Sequence, residues 1–169
     1  MVKPTQQNLE VKILTYTPEL AKHFYSINAQ WVSDMFYMED YDEMVLSNPQ
    51  KHIIDEGGQI WFAQHEELGI IGTCAVKNFG DNWYELTKMG VLESARGLKA
   101  GEVLLQAVLV DCNKMNMDTL FLLTNAICES AIHLYEKNGF VHDKGIKEKF
   151  NGLYERSNVF MRYVGNKKV

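Results

Sequence analysis

Between Tyr84 and Gly101 the chain reads YELTKMGVLESARGLKAG, an apolar strand pattern that runs into a basic, glycine-containing turn and then opens an amphipathic helix. That succession is anion-binding chemistry. A helix start carries unpaired backbone N–H groups and a partial positive charge, so a phosphate placed there gains hydrogen bonds and electrostatic attraction together. Arg96 and Lys99 add full charges. Gly97 and Gly101 lack a Cβ, which lets the backbone curl tightly and a ligand come close to the amides. The expectation is a phosphorylated ligand on Arg96, Gly97, Leu98, Lys99, Ala100 and Gly101.

A chain of 169 residues, 46% hydrophobic and 23% charged, suits one domain with a real core, here 1–169 with 1–9 as a flexible polar tail. No apolar run approaches the roughly 18 residues of a membrane span, and the start MVKPTQQNLEVK lacks a secretory apolar block, so no membrane partner and a cytoplasmic location are expected. Cys74, Cys112 and Cys128 are odd in number and have no C-x-x-C spacing, which favours reduced thiols over disulfides or zinc. The five histidines show no ligand spacing either, so no metal is expected. A formal charge of −5 argues against a nucleic-acid partner. It also mildly repels a phosphorylated ligand, so the donors around the turn must act locally.

Val11 to Tyr16 has strand character, and Leu20, Phe24, Ile27 and Trp31 recur at helical spacing, which predicts a helix from about Pro18 to Ser33. The aromatic, acidic run FYMEDYDEMVLSNP predicts a short second helix ending before Pro49. Ile60 to Gln64, Ile70 to Val76 and Trp83 to Val91 follow as three successive antiparallel strands. From Ala100, the residues Val103, Leu104, Ala107, Val108, Cys112 and Met115 keep to one helical face. A buried strand over Thr119 to Thr124 and a helix over Glu129 to Asn138, stopped by Gly139, come next. Strands over Phe140 to about Ile146 and Tyr154 to Tyr163 complete the pattern. The fold class is therefore α/β (α+β), one mixed sheet with helices packed on it.

This order, with its residues, resembles the GNAT acetyltransferase superfamily over nearly the whole chain. Three places carry the resemblance: ELTKMGV with ARGLKAGEVLL, Asn125 at the end of the next strand, and LYEKNGF at 134–140. The first is similar to the family's acetyl-CoA pyrophosphate loop, with Arg96 and Gly101 matching its ends and Lys99 replacing its middle glycine. Lys99 either supplies a phosphate charge or points to solvent. The resemblance implies a mainly antiparallel sheet of about seven strands flanked by about four helices. It also implies acetyl-CoA as co-substrate and transfer of its acetyl group to a primary amine by direct attack in a ternary complex.

Acyl transfer to an amine sets its own demands. A lysine-like amine of pKa ~10.4 is mostly protonated at neutral pH, and freeing its lone pair costs about 4–5 kcal/mol, so a base helps. Glu85 is the candidate, at the start of the strand leading into the loop, where some relatives have a glutamate acting through water; the alternatives are a solvent-facing carboxylate and, as in many members of the family it resembles, ordered water with no dedicated base. The resemblance makes Tyr135 the proton donor to the departing thiolate. The backbone of Met89, Gly90 and Val91 would pair with the pantetheine arm and polarise the thioester carbonyl. Asn125 and Ser130 are further cofactor candidates, Ser130 having helix capping as its rival role. Glu39 and Asp40 either attract a cationic amine or favour a helix dipole. Cys128 has no paired histidine, and direct transfer needs no nucleophile.

A dinucleotide fold lacks its G-x-G-x-x-G here, and a nucleotide triphosphatase its G-K-[ST]. The rival is a non-catalytic sensor or scaffold that binds CoA or acyl-CoA. Retention of Tyr135 favours the enzyme, and a homodimer through exposed sheet edges is compatible with either.

Overall fold

Seven strands form one sheet: β1 (Val11–Thr15), β2 (Gln59–His65), β3 (Gly69–Asn78), β4 (Trp83–Val91), β5 (Thr119–Thr124), β6 (Phe140–His142) and β7 (Val159–Tyr163), in the spatial order β1-β2-β3-β4-β5-β7-β6. Every neighbouring pair is antiparallel except β4 with β5. The helices are α1 (Ala21–Met35), α2 (Asp40–Ser47), α3 (Ala100–Lys114), α4 (Glu129–Lys137) and α5 (Lys144–Phe150). The computed structural model describes residues 11–95 and 97–165, and Arg96 lies outside them. No helix among the described residues is long and apolar enough to cross a membrane.

Alternation along the strands distributes side chains to two faces. In β2, Ile60 and Phe62 join Phe24 of α1 and Val45 and Leu46 of α2. The intervening Trp61 and Ala63 join Leu104, Leu105 and Val108 of α3 on the opposite face. In β5, Leu120 and Leu122 take the α3 side, whereas Phe121 turns to Ile146, Phe150 and Phe160. Each such fully buried side chain contributes about 1.5–3 kcal/mol relative to exposure.

Two expectations near the C-terminus are corrected. The predicted strand over Phe140 to Ile146 stops at His142, because Asp143 caps a helix: its Oδ1 accepts the Ile146 N–H at 2.9 Å. Ile146 and Phe150, four residues apart, then share one buried face, and Phe150 stacks on Phe121 with centroids 4.0 Å apart. The strand predicted from Tyr154 begins at Val159, so Tyr154 to Asn158 is loop. A turn of π-helix over Gln50–Ile54, also unanticipated, follows Pro49.

The decisive irregularity lies in β4. Thr73 of β3 faces Gly90 and Ala75 faces Thr87, so Lys88 and Met89 together oppose Cys74 in a bulge, with Lys88 at φ +53°. Against β5, β4 pairs only over Trp83–Glu85 with Thr119–Phe121. Beyond that the two strands diverge. At Gly90 a Cβ would lie 2.6 Å from Trp31 Cδ1, so α1 approaches the strand as closely as glycine allows. We expect Gly90→Ala to cost about 1–3 kcal/mol by overpacking against Trp31. Gly101→Ala, whose nearest contact would be Val91 Cγ2 at 3.6 Å, should leave stability within about 0.5 kcal/mol or raise it, given alanine's helix preference. Urea midpoints of the two variants check the contrast.

Candidate active site

A cavity of about 590 Å³ occupies the divergence of β4 and β5. One wall is β4 from Leu86 to Val91; the other is Leu122 to Asn125 with the first turns of α4. The start of α3 closes one end. Trp31 and Met35 of α1 and its C-cap Phe36, with Tyr154, Arg156 and Ser157, close the other.

At the α3 end, Gly97 has φ +86° and Lys99, the N-cap, has φ +55° and ψ +22°. No side chain among the described residues caps the helix, which leaves its first-turn N–H groups available to a ligand. Gly97, Lys99, Ala100 and Gly101 line the cavity, with Lys99 exposed at its rim. Leu98 packs half-buried against the core and offers only backbone. Along the β4 wall Met89, Gly90 and Val91 have no strand partner on the β5 side. This donor set fits a long phosphorylated thioester: amides for a diphosphate, an open strand edge for an amide-bearing arm.

Tyr135 of α4 lines the cavity, its ring edge-on to Phe140 and its hydroxyl 4.0 Å from Met89 Sδ, a weak acceptor. Burial raises its pKa, so the phenol stays protonated. Asn125 lines the wall while its side chain binds loop backbone: Nδ2 donates to the Arg156 carbonyl at 2.6 Å and Oδ1 accepts the Ile127 N–H at 2.9 Å. One amide hydrogen remains free for a ligand. Cys128 is the N-cap of α4, and Ser130 sits exposed in the first turn on the cavity wall.

Glu85 is no surface carboxylate. It is 1% exposed, accepts a hydrogen bond from the Tyr154 hydroxyl at 3.1 Å, and lies behind the cavity wall rather than on it. Its Oε2 has no hydrogen-bond partner among the described residues. Burial raises its pKa, with Lys88, Thr87, Tyr154 and Lys77 opposing the shift.

The sequence reading missed the ionic cluster beside it. Asp42 of α2, 0% exposed, holds Lys88 Nζ at 2.5 Å and takes both terminal nitrogens of Arg156, at 2.5 and 2.8 Å. Glu39 caps α2, pairs with Arg156 Nη1 at 2.9 Å and accepts the Glu155 N–H at 2.8 Å; Asp40 is exposed in the first turn of α2. Neither lines the cavity, so the acidic attraction suggested for them is not what this face offers. The Tyr154 ring lies 4.7 Å from Lys88 Nζ and 4.9 Å from Arg156 Cζ. A lysine at a bulge inside an apolar strand was the available signal.

The family description "Acetyltransferase (GNAT) domain" matches residues 56–142, just over half of the chain. This chain belongs to the GNAT acetyltransferases. It is therefore an acyltransferase, and its seven-stranded, mostly antiparallel sheet recurs in solved structures. A GNAT-family acetyltransferase from Staphylococcus aureus Mu50 is 25% identical with a TM-score of 0.80, over 90% of this chain and 98% of that one. An acetyltransferase from Streptococcus agalactiae 2603 is 16% identical with a TM-score of 0.73, over 93% and 98%. The spermidine N-acetyltransferase of Vibrio cholerae, crystallised with CoA and spermine, is 17% identical with a TM-score of 0.66, over 92% and 95%. No curated protein sequence matches this acetyltransferase significantly.

The buried cluster yields a stability prediction. Burial alone would raise the Asp42 pKa, but the hydrogen bond from Arg156 and the charge of Lys88 overcome it and bring the group to about 2, against 3.8 ordinarily. A depressed carboxyl stabilises the fold above its ordinary pKa and loses that contribution as pH falls through about 2. Asp42→Asn leaves Lys88 buried without its counter-charge and Arg156 with Glu39 alone, and should cost about 3–5 kcal/mol near neutral pH. The variant's stability should also depend less on pH between about 4 and 2, as urea titrations at several pH values would read.

Proposed function

We propose that this acetyltransferase carries the acetyl group of acetyl-CoA directly to a primary amine of a small molecule or of a peptide or protein, in a ternary complex. The whole chain forms one catalytic domain. The observation that carries the reading is the cavity itself: an unpaired β4 edge running from an uncapped helix start to Tyr135. The Vibrio cholerae neighbour, with its CoA and spermine, supports both the co-substrate and an amine acceptor. The cytoplasm suits it, since Cys74, Cys112 and Cys128 are all free thiols.

Acetyl-CoA supplies an activated thioester; the chain does the rest. The first-turn amides of α3, with Gly97 and Gly101, would hold the diphosphate, and Arg96 is assigned there from the sequence alone. Met89, Gly90 and Val91 offer backbone to the arm, and Asn125 and Ser130 flank it. An amide of that edge polarises the carbonyl where negative charge develops. Tyr135, kept protonated by burial, donates to the departing sulfur. Glu85 takes the proton that the amine gives up.

Free-thiol release from acetyl-CoA with a broad pool of amines tests the reaction. Tyr135→Phe should lower kcat by about 10² while calorimetric acetyl-CoA affinity stays within about 3-fold. Gly101→Val, which pushes a branched side chain toward Val91, Leu134 and Met89, should weaken acetyl-CoA binding at least ~10-fold. CoA binding without turnover across the pool would leave a sensor, not an enzyme.

A further inference from the structure

We propose that the Tyr154 hydroxyl relays the proton from the acceptor amine to Glu85. The inference rests on the acetyltransferase reading and extends it to a residue that no motif singles out. Three observations carry it. Glu85 is sealed behind the cavity wall, so a base placed there needs an intermediary to reach an amine in the cavity. Tyr154 lines the cavity and donates to Glu85 Oε1 at 3.1 Å, touching both sides of that wall. Glu85 Oε2 is a buried oxygen without a donor among the described residues, so the carboxylate is under-stabilised there, and gaining a proton relieves that cost.

The groups that face Glu85 narrow the choice. Lys77 comes from β3, Thr87 and Lys88 from β4, Tyr41 from α2, and Tyr154 from the loop before β7. Of these only Thr87, Lys88 and Tyr154 line the cavity. Burial lowers the Lys88 pKa, but the Asp42 carboxylate at 2.5 Å opposes the shift and favours the ammonium, a form with no lone pair to accept a proton. The Thr87 hydroxyl lies 3.3 Å from Tyr154 Oη and also favours the Glu85 carboxylate, but among the described residues the hydrogen bond within 3.5 Å of Glu85 is the one from Tyr154. The Tyr154 ring is fixed by Tyr41, edge-on at 5.3 Å, and by the two cations near it.

In the step, the amine nitrogen bonds to the acetyl carbon, and the carbon–sulfur bond breaks with its electron pair leaving on sulfur. An N–H proton passes to Tyr154 Oη as the tyrosine's own proton passes to Glu85 Oε1. Glu85 changes from carboxylate to carboxylic acid, and Tyr154 is neutral before and after. Burial raises the Tyr154 pKa well above that of a free phenol, which disfavours a free tyrosinate and requires the two transfers to be concerted. The raised Glu85 pKa makes its carboxylate a stronger base than an exposed one.

The test uses acetyl-CoA with a pool of spermidine, tyramine, the common amino acids and short lysine peptides, then kcat against pH with the fastest member. Wild-type turnover should rise with pH as Glu85 ionises. Tyr154→Phe, which keeps the ring, should lower kcat at least ~10-fold and abolish that limb, as Glu85→Gln does. The double variant should be no slower than Glu85→Gln within about 3-fold, and calorimetric acetyl-CoA affinity should hold within about 2-fold in all three. An infrared titration of the Glu85 carboxyl should move when Tyr154 loses its hydroxyl. If Tyr154→Phe fails to fold, a fluorinated tyrosine placed at 154 retains size and hydroxyl, and its kcat should track the lowered phenol pKa. A Tyr154→Phe enzyme that keeps the Glu85-dependent limb, a double variant whose losses multiply, or a fluorinated enzyme with unchanged kcat overturns the relay alone. A wild type that releases no thiol with any amine overturns the acetyltransferase reading and the relay with it.

Discussion

The separation of β4 from β5 is the constraint on which the rest depends. Buried backbone groups must find partners, and a sheet that opens in its middle exposes two edges at once. This fold closes one end of the opening firmly: Trp83 and Phe121, at the paired end, pack with Phe79 and Phe150 in one aromatic cluster. The other end is driven apart by the bulge at Lys88, which adds local twist, and by Trp31 pressed against Gly90. What remains is a strand edge waiting for an extended ligand, beside a helix start waiting for an anion. With a formal charge of −5, such an anion would have to be held by these short-range donors against the long-range field.

The Asp42 cluster solves a different problem. Lys88 is thrown inward by the bulge, and an ammonium buried alone would cost several kcal/mol. Asp42 answers that charge from α2 and also binds Arg156 from the loop before β7, so three elements distant in sequence are tied at one point. A buried ionic triad is weak evidence of net stability. Its geometric effect is plain: Arg156 and Lys88 both lie within 5 Å of the Tyr154 ring and fix it against the cavity.

Most of the fold was legible because its periodicities are local. Ile60 to Gln64 and Ile70 to Val76 are short apolar β-type runs split by HEELG, Val103 to Cys112 keeps a helical face, and Gly139, at φ +100°, ends α4 as its position implied. The failure at Lys144 to Phe150 is instructive, since KGIKEKF has only two apolar residues, Ile146 and Phe150, and the capping aspartate decides the matter. Residues of the candidate site were legible where a turn dictated backbone conformation, as at Gly97 to Gly101. Asp42, Arg156 and Tyr154 were not, because their roles arise from contacts across more than 40 positions and no spacing rule encodes such pairs.

The short helix α5 also bears on the chemistry. As a continuous strand, the segment from Tyr154 would place Tyr154 and Arg156 on one face of the sheet, committed to its ladder. Instead the chain spends two turns on α5, anchors Phe150 on Phe121, and releases a loop at Gly152, where φ is +95°. That loop can enter the cleft from above and set a phenol over Glu85 while its following arginine reaches Asp42. Two tyrosines thus border one cavity with different partners. The Tyr135 hydroxyl has the Met89 thioether, a weak acceptor, as its hydrogen-bond partner among the described residues, and burial keeps it protonated. Tyr154 is bonded to a carboxylate whose own burial makes it ready to receive one. On the proposed mechanism, donor and acceptor would be separated by environment rather than by residue type, as moving a proton off nitrogen and another toward sulfur in the same cleft requires.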